Sequence, residues 1–78
     1  MRVVLLGPLR DMAGSDTLLL PAPLDWAGLL AALPAALAQK ATEGGVHVAC
    51  AGQVLADKTA LIAGDGDEVA LLPPVSGG

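Results

Sequence analysis

Short apolar runs, separated by glycine, proline and acidic residues, divide the first 23 residues into two strands and a turn. Residues 2–7 form an apolar run that stops at a Gly-Pro pair, which predicts a β-strand ending there. Residues 17–23 form a second run stopped by prolines and predict a second strand. Between them, residues 9–14 fit one helical turn closed by Gly14. This order predicts a hairpin whose connection is elaborated by a helical turn.

A helical period follows in residues 24–45, where Asp25 is placed to cap the N-terminus. Apolar residues recur at the spacing of one helical stripe, which predicts that they face the core: Trp26, Leu29, Leu30, Leu33 and Leu37. Pro34 removes a backbone donor and disfavours helical geometry at the residue before it. It predicts either a kink or the first residue of a second short helix ending at Gly44-Gly45.

The second half of the chain returns to strand patterns. Residues 46–52 alternate between two faces, which predicts a half-buried strand with three apolar residues on one face: Val46, Val48 and Cys50. Residues 53–67 contain a short edge strand and a turn, and residues 68–74 form the final strand. The predicted order is β-β-α-β-(β)-β, and a chain of 78 residues is expected to form one domain.

The first and last strands are apolar on both faces, in residues 3–6 and 69–72. Unbroken apolar runs are typical of strands that are covered on both sides. The one convincing helix can cover only one side, so we expect the other to expose an apolar surface that binds a partner. The alternative is that residues 8–16 and 53–66 partly cover this surface.

Composition narrows the class of function. The chain is 54% apolar and has one aromatic residue, Trp26, so the core is expected to be aliphatic. The net charge is −4 and the four basic residues are scattered, which argues against nucleic-acid binding and favours a basic partner groove. One cysteine cannot form an internal disulfide, which favours a reducing compartment. The N-terminal apolar run is too short for a signal peptide or a membrane span, so we expect a cytoplasmic protein without membrane contact.

Three features suggest chemistry, and each has a simpler structural explanation. Residues 64–68 (GDGDE) lack the ligand spacing of a calcium loop, so a turn is expected. His47 has no metal-ligating cluster nearby in sequence and is expected to be an exposed strand residue. Cys50 lies in phase with two valines and has no activating base, so we expect a buried structural thiol. The sequence also contains no phosphate-binding loop and no nucleophile-elbow motif.

The last eight residues, LLPPVSGG, are the remaining distinctive feature. Gly77 and Gly78 offer no side chain to a core, and ordering them is costly in backbone entropy. Pro73 and Pro74 stop strand pairing and favour an extended path away from the domain. If this tail is used, it must act through its thinness, its flexibility or the carboxylate of Gly78.

Residues 61–78 resemble the small subunits of molybdopterin synthase, which belong to the ThiS/MoaD-type ubiquitin-like sulfur carriers. That family ends in a Gly-Asp-Glu turn, an apolar strand, Pro-Pro, two spacer residues and Gly-Gly, and residues 66–78 match this order residue by residue. Residues 9–14 are similar to the family's Arg-acidic-x-x-Gly stretch. The sequence departs from the family at four positions. The family often has Phe where this chain has Leu6, Leu71 and Leu72, and often has Asn where it has Ala51.

The resemblance implies an α+β fold of the β-grasp type, with a mixed sheet of four to five strands packed on one main helix. It implies one sulfur-carrier domain over residues 1–78, with residues 73–78 as a reactive tail. An adenylating enzyme would use ATP to activate the carboxylate of Gly78, and a sulfur donor would convert it into a thiocarboxylate. Gly77 would keep the tail narrow.

The resemblance also implies a partner, the large subunit of molybdopterin synthase, in a complex with two copies of each chain. That subunit would use the sulfur to build the dithiolene of molybdopterin from cyclic pyranopterin monophosphate. The small chain itself would bind no cofactor and no metal. The residues expected to contact partners are Leu71, Leu72, Pro73, Pro74, Val75 and Ser76.

Three alternatives stay open at this point. The chain could carry sulfur for another pathway, such as thiamin or cysteine synthesis. It could be a ubiquitin-like modifier that is joined through Gly78 to lysines of target proteins. It could also be a small interaction module whose tail has no chemical role.

Overall fold

The computed structural model of the protein describes residues 1–74. Helices and strands follow one another closely along the chain, and short two-residue strands connect the longer elements. The elements are β1 (Arg2–Leu5), α1 (Pro8–Ala13), β2 (Thr17–Leu19), β3 (Leu24–Asp25), α2 (Trp26–Ala32), α3 (Ala35–Ala41), β4 (His47–Cys50), β5 (Gln53–Val54), a 3₁₀ helix (Lys58–Ala60), β6 (Ile62–Ala63) and β7 (Glu68–Leu72).

Five strands form one mixed sheet in the order β2-β1-β7-β4-β5. The first and last strands, β1 and β7, lie side by side in parallel, with Val3 opposite Val69 and Leu5 opposite Leu71. All other pairs in this sheet are antiparallel, including the predicted hairpin of β1 and β2. Strands β3 and β6 form a separate two-stranded pair. This mixed sheet packed against helices is the β-grasp fold that the resemblance implies.

The core lies between the sheet and the helices and is aliphatic, as the composition predicts. In β1 and β7 alternate residues face it, so that Val3, Leu5, Val69 and Leu71 are fully buried. Within residues 1–74 the core contains no buried polar or charged side chain. Its other members are Leu9, Leu29, Leu33, Leu37, Ala41, Val46, Val48, Leu61 and Ala63.

The long helical segment is two helices separated at Pro34. Asp25 caps α2 as predicted, since its Oδ1 accepts a hydrogen bond from the backbone N–H of Gly28 at 2.8 Å. Leu33 has extended geometry (φ −78°, ψ 151°), because the following proline disfavours a helical conformation there. The second short helix is therefore confirmed, but Pro34 is its N-cap rather than its first residue, and it ends at Ala41, before the glycine pair.

Two further details differ from the sequence-based expectation. The second strand covers Thr17–Leu19 only, because the prolines at 21 and 23 end the ladder early. The apolar stripe predicted for the long helix faces the core at its centre, where Leu29, Leu33 and Leu37 are buried. At its margin, Trp26 and Leu30 are only half-buried. The helical turn after β1 is confirmed as α1, and Gly14 closes it in the left-handed conformation with φ 73°.

Candidate functional site

The chain leaves the sheet from a strand in its interior. β7 ends at Leu72, which pairs with His47 of β4. Pro73 and Pro74 follow outside the ladder, since proline has no N–H to donate to a neighbouring strand. Pro73 is half-buried and Pro74 is exposed. We call residues 72–74 the tail root, because the predicted reactive tail continues from this segment.

The residues predicted to act beyond the tail root lie outside the described part of the chain: Val75, Ser76, Gly77 and Gly78. Their roles therefore stay predictions.

Leu71 requires a correction. It was expected to contact a partner, but its exposed fraction is 0% and it packs in the core against the helices. Leu72, the next residue, is half-buried and points to the opposite side of the sheet, because side chains alternate along a strand. Of this pair, only Leu72 is placed to contact a partner.

The side of the sheet opposite the helices is apolar along its middle. Strand pairing places one row of small side chains across all five strands, and Leu72 and His47 form the next row toward the tail root. We call these residues the outer sheet face: Thr17, Val4, Ala70, Ala49, Val54, Leu72 and His47.

The outer sheet face confirms the second apolar side predicted for the first and last strands. Three residues in the middle of this face are half-buried, namely Val4, Ala70 and Ala49. No buried core residue covers them, but the strands on both sides shield their short side chains. At the margins exposure is higher, with Val54 at 60% and Leu6, beside the tail root, at 43%. The apolar surface is therefore continuous with the tail root.

The end of the sheet farther from the tail root is polar. Arg2 and Glu68 lie opposite each other on adjacent strands, and Arg2 Nε donates to Glu68 Oε2 at 2.9 Å. Both side chains are about half exposed, so this ion pair contributes little to stability. This side of the sheet thus changes along the strand direction from the charged pair of Arg2 and Glu68 to the apolar outer sheet face beside the tail root.

Beside the tail root lies a groove with a volume of about 250 Å³, lined by residues that include His47, Asp57 and Thr59. Asp57 caps the 3₁₀ helix, because its Oδ1 accepts from Thr59 Oγ1 at 2.6 Å and from Thr59 N–H at 3.0 Å. The side-chain hydrogen bond first, and then the backbone one, lower the pKa of Asp57. His47 is exposed, as predicted. The carboxylate in this groove is engaged in holding its own loop.

Cys50 is half-buried rather than fully buried, which corrects the expectation from its alternation with the valines. It lies opposite Val69, three residues from the pair that Leu72 makes with His47, or about 10 Å along the strand. Burial first, and then the nearby charge of Asp67, raise the pKa of the Cys50 thiol. A raised pKa keeps the thiol protonated and makes it a poor nucleophile at neutral pH.

The acidic segment before β7 forms the predicted turn. Gly64 N–H donates to Asp67 Oδ2 at 2.8 Å, Asp67 N–H donates to Gly64 O at 3.1 Å, and Gly66 has φ 87°. Across residues 1–74, no group of three His, Cys, Asp or Glu side chains is arranged to hold a metal ion. In the same residues, no helix has the length and hydrophobicity needed to cross a bilayer.

The sequence model of the ThiS family matches residues 3–78, which is almost the whole chain. The chain belongs to the ThiS family. Its matching solved structures agree with this assignment in both fold and length. SAMP1 from Haloferax volcanii is 30% identical, with a TM-score of 0.68, and the match covers 99% of this chain and 97% of that one. No curated protein sequence matches the chain significantly.

Two further structures are similar to this ThiS-family chain. One comes from the complex of subunits 1 and 2 of the molybdopterin-converting factor of Helicobacter pylori 26695. It is 27% identical, with a TM-score of 0.66, and the match covers 99% of this chain and 96% of that one. The other is the HVO 2177 protein of Haloferax volcanii, which is 25% identical, with a TM-score of 0.77. The match covers 99% of this chain and 84% of that one. The predicted family, a ThiS/MoaD-type ubiquitin-like sulfur carrier, and its β-grasp fold are confirmed.

Sequence reasoning missed part of this site. It showed that β1 and β7 are apolar on both faces, but not that Ala49 and Val54 extend the outer sheet face. Alanine and a two-residue strand give too weak a hydrophobic pattern for that. It also treated Gly7 and Gly45 as element ends, whereas the structure places both against the prolines of the tail root. No local sequence signal predicts those two contacts, which depend on strand pairing.

Proposed function

We propose that this protein is the sulfur-carrying small subunit of a molybdopterin synthase. The observation that carries the proposal is the continuation of an interior strand of a ThiS-family domain into a Pro-Pro-x-x-Gly-Gly segment. The likeness to a subunit of the Helicobacter pylori molybdopterin-converting factor, over 99% of this chain and 96% of that one, supports the same function. The apolar outer sheet face beside the tail root is suited to a large partner subunit.

The first step of the proposed reaction activates Gly78, taken as the C-terminal residue of the working protein. A carboxylate is a poor electrophile, so an adenylating enzyme of the ubiquitin-activating type joins it to AMP from ATP and releases pyrophosphate. A sulfur donor then delivers hydrosulfide to the acyl carbon, a C–S bond forms as the C–O bond to AMP breaks, and Gly78 carries a thiocarboxylate. In this scheme ATP is bound by the partner enzyme, and this chain binds no cofactor.

The second step delivers the sulfur to the large subunit. Each thiocarboxylate transfers one sulfur atom to cyclic pyranopterin monophosphate, so two loaded chains supply the two sulfur atoms of the molybdopterin dithiolene, and hydrolysis returns each Gly78 to a carboxylate. Two different active sites must admit the same peptide end, and Gly77 and Gly78 make that end narrow because they have no Cβ. We further propose a complex with two copies of each subunit, acting in the cytoplasm where ATP is available.

Intact mass spectrometry tests the first step. The protein is incubated with a ubiquitin-activating-type adenylating enzyme, ATP and a sulfur donor, and the expected product has one sulfur in place of one oxygen at Gly78. Adding a molybdopterin synthase large subunit and cyclic pyranopterin monophosphate should then return the original mass and form molybdopterin. Failure of the loaded protein to support molybdopterin formation would refute the assignment to this synthase.

A second candidate function is ubiquitin-like protein modification. It is supported by the likeness to small archaeal modifier protein 1 of Haloferax volcanii, which is 28% identical with a TM-score of 0.64, over 95% of this chain and 95% of that one. Both functions begin with adenylation of Gly78, so they differ only in the acceptor. Isopeptide-linked conjugates to lysines, found by mass spectrometry after expression with the adenylating enzyme, would favour the modifier. A free thiocarboxylate consumed by the large subunit favours the sulfur carrier.

The family assignment also allows a sulfur carrier for thiamin or cysteine synthesis. The loaded protein can be offered separately to the large synthase subunit, to a thiazole-forming synthase and to a cysteine-forming enzyme. The proposed function requires the first reaction to be the fastest. A protein that neither acquires sulfur nor forms lysine conjugates in the presence of any adenylating enzyme would instead be an interaction module.

A further inference from the structure

Both prolines of the tail root lie directly against glycines. A Cβ atom placed on Gly7 would lie 3.3 Å from Pro73 Cγ, and a Cβ placed on Gly45 would lie 3.0 Å from Pro74 Cβ. Carbon atoms attract each other best at about 3.5–4.0 Å, so a side chain at either glycine would push the proline away. The two glycines come from opposite sides, Gly7 following β1 and Gly45 preceding β4, and these strands flank β7.

The turn that carries Gly45 is fixed by a lysine from a distant element. Lys58, on the 3₁₀ helix, donates from Nζ to the carbonyl oxygen of Glu43 and, at 2.7 Å, to that of Val46. Val46 N–H also donates to Glu43 O at 3.1 Å, which closes the turn on itself. The Lys58 ammonium lies 6.0 Å from the centre of the Trp26 ring, a cation–π contact that further limits its movement.

The two prolines restrict the direction of the backbone at this contact. Its ring fixes φ near −65°, so a contact on two consecutive prolines constrains the backbone direction more than a contact on flexible residues would. Gly78 lies four positions after Pro74, and an extended chain of that length spans at most about 14 Å. The direction at Pro74 therefore sets the region of space that the Gly78 carboxylate can reach.

We propose that Gly45 is a positioning residue for sulfur transfer, which seats Pro74 and is itself held in place by Lys58. Gly7 supports Pro73 on the other side in the same way. The role in transfer rests on the proposed function, because it requires Gly78 to enter a partner's active site. The contact itself is a property of the domain and does not depend on that function.

The neighbouring glycine provides a matched control. Gly44 and Gly45 occupy the same turn and neither has a positive φ, but a Cβ placed on Gly44 meets no atom within 4 Å. Gly45→Ala and Gly44→Ala therefore make the same chemical change, and only one of them meets the tail root. Gly7 is a poorer test, because its φ of 57° and ψ of −133° would strain any alanine regardless of the proline.

The two variants are compared in the adenylation and sulfur-loading reaction at varied carrier concentration. Gly45→Ala should lower kcat by about threefold to tenfold, because Pro74 must move by a few tenths of an ångström, and a displacement of roughly 1 Å at a reacting group costs about a hundredfold. KM should change little, because the outer sheet face is intact. Gly44→Ala should keep both constants within about twofold of the unaltered protein.

A double variant separates positioning from a general loss of structure. In a protein carrying Pro74→Gly, the atom that the new Cβ meets is absent, so adding Gly45→Ala should have little further effect on kcat. A merely structural defect at Gly45 would lower kcat by the same factor in both backgrounds. Thermal unfolding of the unaltered protein, the two single variants and the double variant checks that each is folded.

A measurement without enzymes tests the contact itself. In the unaltered protein, NMR should show a nuclear Overhauser effect between Gly45 Hα and Pro74 Hβ, and Gly45→Ala should shift the Pro74 resonances while Gly44→Ala does not. Absence of that effect, or equal kcat values for the two alanine variants, would overturn the inference. If the unaltered protein acquires no sulfur from any system, the proposed function fails, and the NMR comparison still decides the contact.

Discussion

At the scale of single residues, the proposed chemistry depends on one atom, the carboxyl carbon of Gly78. Removing one residue from an extended chain moves its end by about 3.5 Å. A displacement of roughly 1 Å can already reduce a rate about a hundredfold. The number of residues after the tail root is therefore expected to matter more than the identity of most of them.

Deletion of Gly78, or addition of one residue after it, should each lower sulfur loading about a hundredfold or more. Gly77→Val, which keeps the length, should also impair loading, because a branched Cβ crowds a narrow channel. Thermal unfolding should be unchanged in all three, since the core found in residues 1–74 does not extend beyond Leu71. Loading is measured by intact mass against time. Normal loading of the shortened protein would show that the tail is not the reactive group.

Cys50 provides the complementary prediction at this scale. Its raised pKa and its distance from the tail root indicate a structural thiol, so Cys50→Ala should carry sulfur at the normal rate. The variant should lose about 1 kcal/mol of unfolding free energy or less, because the side chain is small and only half-buried. The reconstituted synthase reaction and a denaturant titration measure the two effects. A folded Cys50→Ala protein that no longer transfers sulfur would make Cys50 a participant.

At the scale of elements, the sequence predicts those that have a strong period or a specific breaker. The α2–α3 pair follows from the leucine stripe, Asp25 and Pro34, and β1 and β7 follow from their apolar runs. The short elements β3, β6 and the 3₁₀ helix were not predicted, because two or three residues carry no measurable period. They exist through contacts between distant segments, such as the pairing of Leu24 with Ala63.

The lysine that links the 3₁₀ helix to the turn at residues 43–46 gives an element-scale prediction. Lys58→Met keeps most of the aliphatic stem but removes the charged hydrogen bonds to Glu43 and Val46, and should lower the unfolding free energy by about 1–2 kcal/mol. Hydrogen exchange of the Val46 amide, which donates to Glu43 O at 3.1 Å, should become faster, because the turn loses its anchor. Lys58 is half-buried, so solvent reduces the effect below that of a buried pair.

Lys40→Met is the matched control for this change. Lys40 is half exposed on α3 and makes a 3.5 Å ion pair with Glu43 within its own segment, so its loss should alter stability by less than about 0.5 kcal/mol. Chemical denaturation of both variants measures the difference. Equal stabilities, together with unchanged exchange at Val46, would contradict the anchoring role of Lys58.

At the scale of the whole molecule, the sequence predicted the tail and an apolar surface but not how they are joined. The tail was recognisable because Pro-Pro-x-x-Gly-Gly is an unusual local pattern. The outer sheet face depends on register, which sets Ala70 between Val4 and Ala49, and register is determined by pairing across the chain. The parallel contact of β1 with β7 is what brings Gly7, Leu6 and the tail root together.

The assembly of the proposed synthase gives the last prediction. Leu72 lies on the outer sheet face at the tail root, so Leu72→Glu should place an unpaired carboxylate in the apolar contact with the large subunit. Burying such a charge costs several kcal/mol, and affinity should fall about a hundredfold or more. Leu6→Glu, at a side chain that is 43% exposed beside the tail root, should act in the same direction.

Two further variants show whether the loss belongs to this face. Ile62→Glu adds the same charge at a side chain that is 79% exposed on β6, outside the outer sheet face, and should leave affinity unchanged. Leu71→Glu should instead unfold the domain, because Leu71 is fully buried. Calorimetric titration of the folded variants with the large subunit measures the affinities. If Leu72→Glu and Leu6→Glu both stay folded and bind as tightly as Ile62→Glu, the outer sheet face does not contact the partner, and the apolar row must have another function.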